Sequence, residues 1–355
     1  MSSPVDERVE HGAGPDRGSV ARAAESGRTT PPAPDPAEQP AAEAAILTAR
    51  PDLRDAAAIV HAAGWDCLAI EQGGSMFKFP RTAAAEARLE GEPVRLDVAR
   101  RLLAGRDHPA LPRMILHRTP RLFSEHPLIA GAMLDPAGYH ALGEDERERL
   151  AGAVAGVYLA LHAADPADVA AAGIGPVAPW PSAEALFDAV RRRLDPPLLA
   201  RVADVLGRVA AAPDDHAVFG HFDTHGWNMA FDAAAGRLAG LFDFGDAGIG
   251  PRHRDLSYPS FISPDLTRRV VRLYVARGGR PVDLSRVFDC HTVLRVIELG
   301  SAGASAPSFT WALTDWLAAL DRTLSDTAYE DAVRGDTVRG DDAPRHVSGG
   351  RLVRR

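Results

Sequence analysis

Three oxygen-bearing side chains, Asp223, Asn228 and Asp243, fall within one short part of the chain, in the segments HFDTHGWN and FDFGDAG. Two carboxylates a few Å apart repel unless something cationic lies between them. Hard oxygen ligands of this kind suit Mg²⁺ better than zinc. The residues between them decide whether they can meet. Trp227, Met229 and Phe231 alternate with small or polar residues, Ala233 to Gly236 reads as a turn, and Leu238 and Leu241 lead to Asp243. This is the pattern of a β-hairpin. Folded about Ala235 and Gly236, it sets Asn228 opposite Asp243, with Asp223 on the loop that enters it.

The spacing H-x-D-x-x-x-x-N, formed by His221, Asp223 and Asn228 and followed by Asp243-Phe244-Gly245, is that of the protein-kinase signature. Phosphoryl transfer also needs a compact cation on the nucleotide phosphates, supplied by a lysine on an upstream strand. Lysine and arginine together number 40, and Lys78 is the one lysine among them. It lies between Phe77 and Phe79, so a strand that buries both rings turns the ammonium to the opposite face. The pair His221 and His225 (HxxxH) does not read as a zinc-protease motif, which needs HExxH on a helix, and Gly226 breaks one here.

These residues need elements to hold them. CLAI at 67–70 and SMFKF at 75–79 flank a turn with paired glycines and read as a second hairpin. A helix follows, with Thr82 as N-cap and Gly105 at its C-terminal end. Leu150, Val154, Val157 and Leu161 recur at helical spacing, giving one buried stripe. Further helices are expected at 183–211, 264–277, 284–300 and 308–323. The result is an α+β chain: an N-lobe over 44–127 and a mainly helical C-lobe over 128–329. Polar, Pro- and Gly-rich composition predicts a disordered tail over 1–43 and a flexible one over 330–355. Glu125 reads as a solvated residue where the lobes join.

Charge and cysteine content narrow the class. The formal net charge is −8 with no basic run, which argues against nucleic acid as a partner. Cys67 and Cys290 form no metal or redox spacing, no signal peptide is evident, and no apolar run is long enough to span a membrane. These readings predict a cytoplasmic protein and leave the oligomeric state open.

The segments GWD at 64–66, FKFPR at 77–81, LALHAADP at 159–166, HFDTHGWN at 221–228 and FDFGDAGIGPRHRDL at 242–256 together resemble the aminoglycoside phosphotransferase and choline kinase family. These are small-molecule kinases with a bilobal, protein-kinase-like fold. The resemblance implies Asp223 as catalytic base, Asn228 and Asp243 as Mg²⁺ ligands, and Lys78 on the phosphates of ATP or GTP. It implies Glu92 as the helix residue paired with Lys78, with Glu90 and Glu86 as alternatives because Pro93 follows Glu92 directly. His221 and Asp255 would support the loop structurally. The acceptor it implies is a small molecule with a hydroxyl: an aminoglycoside-like antibiotic, an amino alcohol, an amino sugar or a macrolide. A non-catalytic nucleotide-binding protein of the same fold is the alternative. The chain departs from the family at Phe222, where glycine is common, and at Trp227, where a small residue is usual.

Overall fold

Period-two alternation in CLAIEQ and SMFKFP builds the first half of the molecule. The computed structural model describes residues 37–61, 66–213, 215–301 and 307–325. Strands β1 (Ala58–His61), β2 (Cys67–Gln72), β3 (Ser75–Pro80), β4 (Ile115–His117) and β5 (Phe123–Pro127) form one antiparallel sheet in the order β1-β2-β3-β5-β4. Gly73 and Gly74 join β2 to β3 with φ of 58° and 77°. Two consecutive left-handed residues are what a two-residue hairpin turn matched to strand twist requires, and glycine adopts them without strain.

One face of this sheet is apolar. Leu68, Ile70, Phe77, Phe79 and Phe123 pack against Ala42, Ala45 and Ile46 of helix α1 (Glu38–Ala49). Residues 38–43 therefore belong to a helix and not to the disordered tail expected from composition, because the sheet needs a cover. Residues 1–36 and 326–355, which hold the rest of both expected tails, lie outside the described residues, as do Gly64 and Trp65. Glu125 is a second correction. It is buried in β5, paired with Arg50 and with His117 at 2.9 Å. The stretch FSEHPLIAG, with one charge and one proline, reads as a linker, but strand pairing with β3 and β4 takes Glu125 inside.

Helix α2 (Ala83–Leu103) starts where Thr82 Oγ1 accepts the Ala85 N–H at 3.0 Å. It remains helical through Pro93 and stops just before Gly105, whose φ is 74°. The C-lobe follows as α3 (Pro136–Ala141), α4 (Glu144–His162), α5 (Pro166–Ala171), α6 (Ala183–Val190) and α7 (Pro196–Ala211). Beyond the central strands come α8 (Arg252–Asp255), α9 (Pro264–Ala276), α10 (Leu284–Ser301) and α11 (Pro307–Ser325). The expected stripe of α4, Leu150, Val154, Val157 and Leu161, is buried in the main core. The region 183–211 is split, since Asp195 caps α7 and Pro196 and Pro197 occupy its first turn. A second core joins α6, α7, α10 and α11 through Val190, Val202, Phe288 and Trp316. No described helix is long and apolar enough to cross a membrane.

Four short strands stand among these helices: β6 (Ala217–Gly220), β7 (Met229–Asp232), β8 (Arg237–Leu241) and β9 (Gly248–Pro251). β6 pairs with β9 and β7 with β8, both antiparallel. The two pairs are nested in the chain. The loops 221–228 and 242–247 that connect them must consequently lie side by side.

Candidate active site

The nested pairs bring the two motifs together, but not in the register expected. Met229 stands opposite Leu241, a β-bulge follows between Ala230 and Phe231, and the Phe242 N–H donates to the Asn228 carbonyl at 3.0 Å. Asn228 thus faces Phe242, one position short of Asp243. The turn is centred one residue earlier than expected, on Ala234 and Ala235, since Asp232 stands opposite Arg237; the extra residue at the bulge, Ala239, whose carbonyl accepts the Ala110 N–H at 2.8 Å, recovers half of the resulting two-place shift.

Within the first loop, the side chain of Asn228 fixes Asp223. Its Nδ2 donates to the Asp223 carbonyl at 2.9 Å and to Asp223 Oδ2 at 2.7 Å. That leaves the Asn228 carbonyl oxygen pointing away from Asp223. His225, also buried, stands 3.2 Å from Asp223 Oδ1. His221 ties the two loops. Burial pushes its imidazole below the ordinary histidine range, so the ring is neutral. Its Nδ1 accepts the Asp223 N–H at 3.2 Å, and Nε2 therefore donates to the Phe242 carbonyl at 3.2 Å.

Phe222 and Asp243 are the two non-glycine residues with left-handed backbone among those described, at φ 56° and 64°. Each is held by a buried carboxylate. The Phe222 N–H donates to Asp255 Oδ1 at 2.6 Å, and the N–H of Phe244, next to Asp243, donates to Glu92 Oε1 at 3.0 Å. Asp255 itself is fully buried, with His162 Nε2 2.9 Å from its Oδ2 and the Tyr158 hydroxyl donating to its main-chain oxygen at 3.0 Å. It closes the short helix α8 and braces the loop. The departure at position 222 now has a physical reading: the backbone there is one that glycine adopts freely, and phenylalanine adopts it at a cost of ~1–2 kcal/mol. The ring is housed beside Gly220 and Gly250, where an added Cβ would lie 2.8 Å and 2.7 Å from it. Trp227, the other departure, packs edge-on to His225 with ring centroids 5.3 Å apart, extending the aromatic group of Phe222, Tyr258 and Phe261.

From the other side, Lys78 reaches into the cleft. Its Nζ lies 3.5 Å from Asp243 Oδ2. Lys78, Glu92, Leu89, Cys67 and Asp243 line one cavity of about 110 Å³. Of the three glutamates considered, Glu92 is buried and lines this cavity, whereas Glu86 and Glu90 are exposed and Glu90 pairs with Arg118. Arg88, one turn before Glu92, joins the lobes: it pairs with Asp66 at 2.8 Å and stands 3.8 Å from Asp246. Sequence reasoning assigned nothing to Arg88, Asp246 or His162, although the last two lie inside quoted motifs.

The residues present fit a Mg²⁺ ion. Asn228 and Asp243 would supply a carbonyl and a carboxylate oxygen, and among the described residues no three His, Cys, Asp or Glu side chains are grouped as a metal cage. Mg²⁺ typically takes one or two protein oxygens and completes its octahedron with water and substrate phosphates.

Residues 69–287, more than half of the chain, match the profile of the phosphotransferase enzyme family, APH. The chain belongs to this family. Every site residue expected from the motifs lies within the matched region of the phosphotransferase. No curated protein matches it by sequence. Among solved structures it is similar to the GDP complex of wild-type aminoglycoside 2'-phosphotransferase-IIIa, at 21% identity and a TM-score of 0.63 over 78% of this chain and 95% of that one. It is also similar to the apoenzyme of a macrolide 2'-phosphotransferase from Brachybacterium faecium, at 20% identity and a TM-score of 0.54, covering 78% of this chain and 97% of that one. A third is macrolide 2'-phosphotransferase type I, at 22% identity and a TM-score of 0.51 over 83% and 96%. At these identities the likeness establishes the bilobal kinase-like fold, as the motif order implied.

Proposed function

We propose that this phosphotransferase moves the γ-phosphoryl group of ATP or GTP to a hydroxyl of a small molecule, with Mg²⁺, in the cytoplasm. The observation that carries the reading is that Asn228 holds Asp223 and Lys78 meets Asp243 at two cavities that share Arg88 and Gly245. The N-lobe, 44–127 together with the helix that begins at Glu38, would hold the nucleotide. Residues 128–329 would supply the catalytic loop and the acceptor site.

In this reading Asp223 orients the acceptor hydroxyl and takes its proton. The acceptor oxygen forms a new bond to the γ-phosphorus as the bond to the β–γ bridging oxygen breaks and ADP or GDP leaves. Asn228 serves twice, its Nδ2 holding the base and its carbonyl oxygen facing the metal position. Mg²⁺, when bound by Asn228 and Asp243, neutralises charge on the transferring phosphoryl group. Lys78 aligns the phosphates, Glu92 holds the strained turn beside Asp243, and His221 and Asp255 keep the two loops in place. Relatives support the nucleotide: one solved neighbour is a streptomycin–ATP ternary complex and another is a GDP complex.

The test is ADP and GDP release with Mg²⁺ against aminoglycosides, macrolides, choline, amino sugars, sugar acids and sugar phosphates, by wild type and Asp223→Asn. Acceptor-dependent release that the variant loses is the expected result. Full turnover by the variant would remove Asp223 as base, and nucleotide binding without release by any acceptor would favour a non-catalytic binder.

A further inference from the structure

The cleft has a second, larger cavity, of about 240 Å³, which shares Arg88 and Gly245 with that of Lys78. Asp223 opens into it, so on the reading above it is where an acceptor hydroxyl meets the base. Its walls carry three guanidinium groups, Arg88, Arg95 and Arg254, against two carboxylates, Asp223 and Asp246. Arg88 is engaged by Asp66 and Asp246. Arg254 is fixed between the rings of Trp180 and Phe222, at 4.8 and 5.6 Å, and donates to the Ala178 carbonyl at 2.6 Å.

Arg95 differs from both. It has no carboxylate within ion-pair distance among the described residues, and its one hydrogen bond is a long one, 3.4 Å, to the Arg88 carbonyl. Its Nε is buried without a partner. The side chain folds back along α2 over Gly91, where an added Cβ would lie 2.4 Å from Nη1, so the helix carries a glycine at the position that lets this guanidinium lie flat. Burial holds its pKa below the usual arginine value against the opposing pull of the Asp246 and Glu92 carboxylates, but an arginine remains charged at neutral pH. A half-buried cation with donors to spare faces the acceptor space. Arg95 lines this cavity and not the one shared by Lys78 and Glu92.

We infer that the acceptor is an anionic hydroxy compound whose carboxylate or phosphate is received by Arg95, with its hydroxyl at Asp223. The planar guanidinium suits such a group, which it can bind through two parallel hydrogen bonds. A polycationic acceptor would meet the same charge as repulsion. The inference rests on the kinase reading, and the experiment separates the two.

Binding of four hexose derivatives that share one ring, glucuronate, glucose 6-phosphate, glucose and glucosamine, is measured by calorimetry in the presence of Mg²⁺ and a non-hydrolysable ATP analogue. Wild type, Arg95→Ala and Arg95→Lys are compared, with the dissociation constant of the analogue as a separate readout. Wild type is expected to prefer at least one of the two anions over glucosamine by about tenfold or more, the scale of a hydrogen bond to a charged group. Which anion wins distinguishes carboxylate from phosphate. Arg95→Ala is expected to remove the preference while leaving the analogue's affinity within about twofold, and Arg95→Lys to restore part of it. Equal or tighter binding of glucosamine, no measurable binding of any hexose, or a preference that survives in Arg95→Ala would each overturn the inference. A loss of analogue affinity in Arg95→Ala would assign Arg95 to the nucleotide and overturn it too. Failure of wild type to bind the analogue at all would instead overturn the kinase reading.

Discussion

The two walls of the cleft hold their groups by different means. On the N-lobe side, Lys78 and Glu92 are placed by regular structure: a strand whose alternation buries Phe77 and Phe79, and a helix with an ordinary cap. On the C-lobe side, Asp223, Asn228 and Asp243 lie on loops that include left-handed backbone at Phe222 and Asp243. Regular elements need no help to keep their shape. The loops do, and they receive it from fully or nearly buried carboxylates and a neutral histidine. Strain of ~1–3 kcal/mol per residue persists when its surroundings over-determine it, and the difference between the walls shows where this protein spends stability on geometry.

The comparison can be broken most strongly at Asp223, the proposed base. Asp223→Asn should lower kcat by about 10²- to 10⁴-fold, with the melting temperature little changed, as measured by product release and calorimetry. Asp255→Ala removes the carboxylate shared by Phe222 and His162 and should cost about 3–5 kcal/mol in urea unfolding. Loss of activity is expected at temperatures where the variant is still folded, because the loop loses its brace.

Phe222 sets strain against packing. Phe222→Gly should gain ~1–2 kcal/mol from the backbone and lose ~3–5 kcal/mol from the vacated ring space, a net loss of about 2 kcal/mol. Phe222→Ala keeps the strain and should be less stable than the glycine variant by ~1 kcal/mol. Equal stability of the two would mean that the left-handed backbone carries no cost. On the regular wall, Lys78→Arg should raise the nucleotide KM or lower kcat on the order of tenfold without changing stability.

The smallest effects are those of pH. Burial pushes His126 down to about 4, with Lys78 acting in the same sense, and holds His221 and His291 below the usual histidine range. The unfolded chain binds those protons near pH 6.5 while the folded chain does not, so stability is fully present above that value and falls as pH drops below it. Each group contributes ~1.4 kcal/mol per pH unit until its own folded pKa is reached. Urea midpoints at pH 7 and 5.5 check the sign. The variant His126→Gln should flatten the slope, and a steeper one would contradict the assignment.

The regular wall and the motif residues were legible in the sequence for physical reasons. Alternation placed Lys78 on the cleft face, and the spacing from His221 to Asp243 named the loops. The bulge at Ala239 was not legible, because it answers to a partner at Ala110 that is remote in the chain. Glu125 and helix α1 were misread for the same reason: their polar or simple composition is overridden by a distant sheet. Arg95 is one arginine among many in this chain, and only its lack of a carboxylate partner, a fact of packing, sets it apart.

Lys78 is the chain's one lysine, and its ammonium is largely enclosed beside Asp243. Reagents that acylate side-chain amines therefore have a single address on this protein, and it lies at the proposed nucleotide position. The mass added by such a label, with and without nucleotide, becomes a direct footprint of that cavity with no background from other lysines. The same arithmetic holds for enzymatic acetylation of lysine side chains, which could act on this chain only by cancelling the charge on which its phosphate chemistry is proposed to depend.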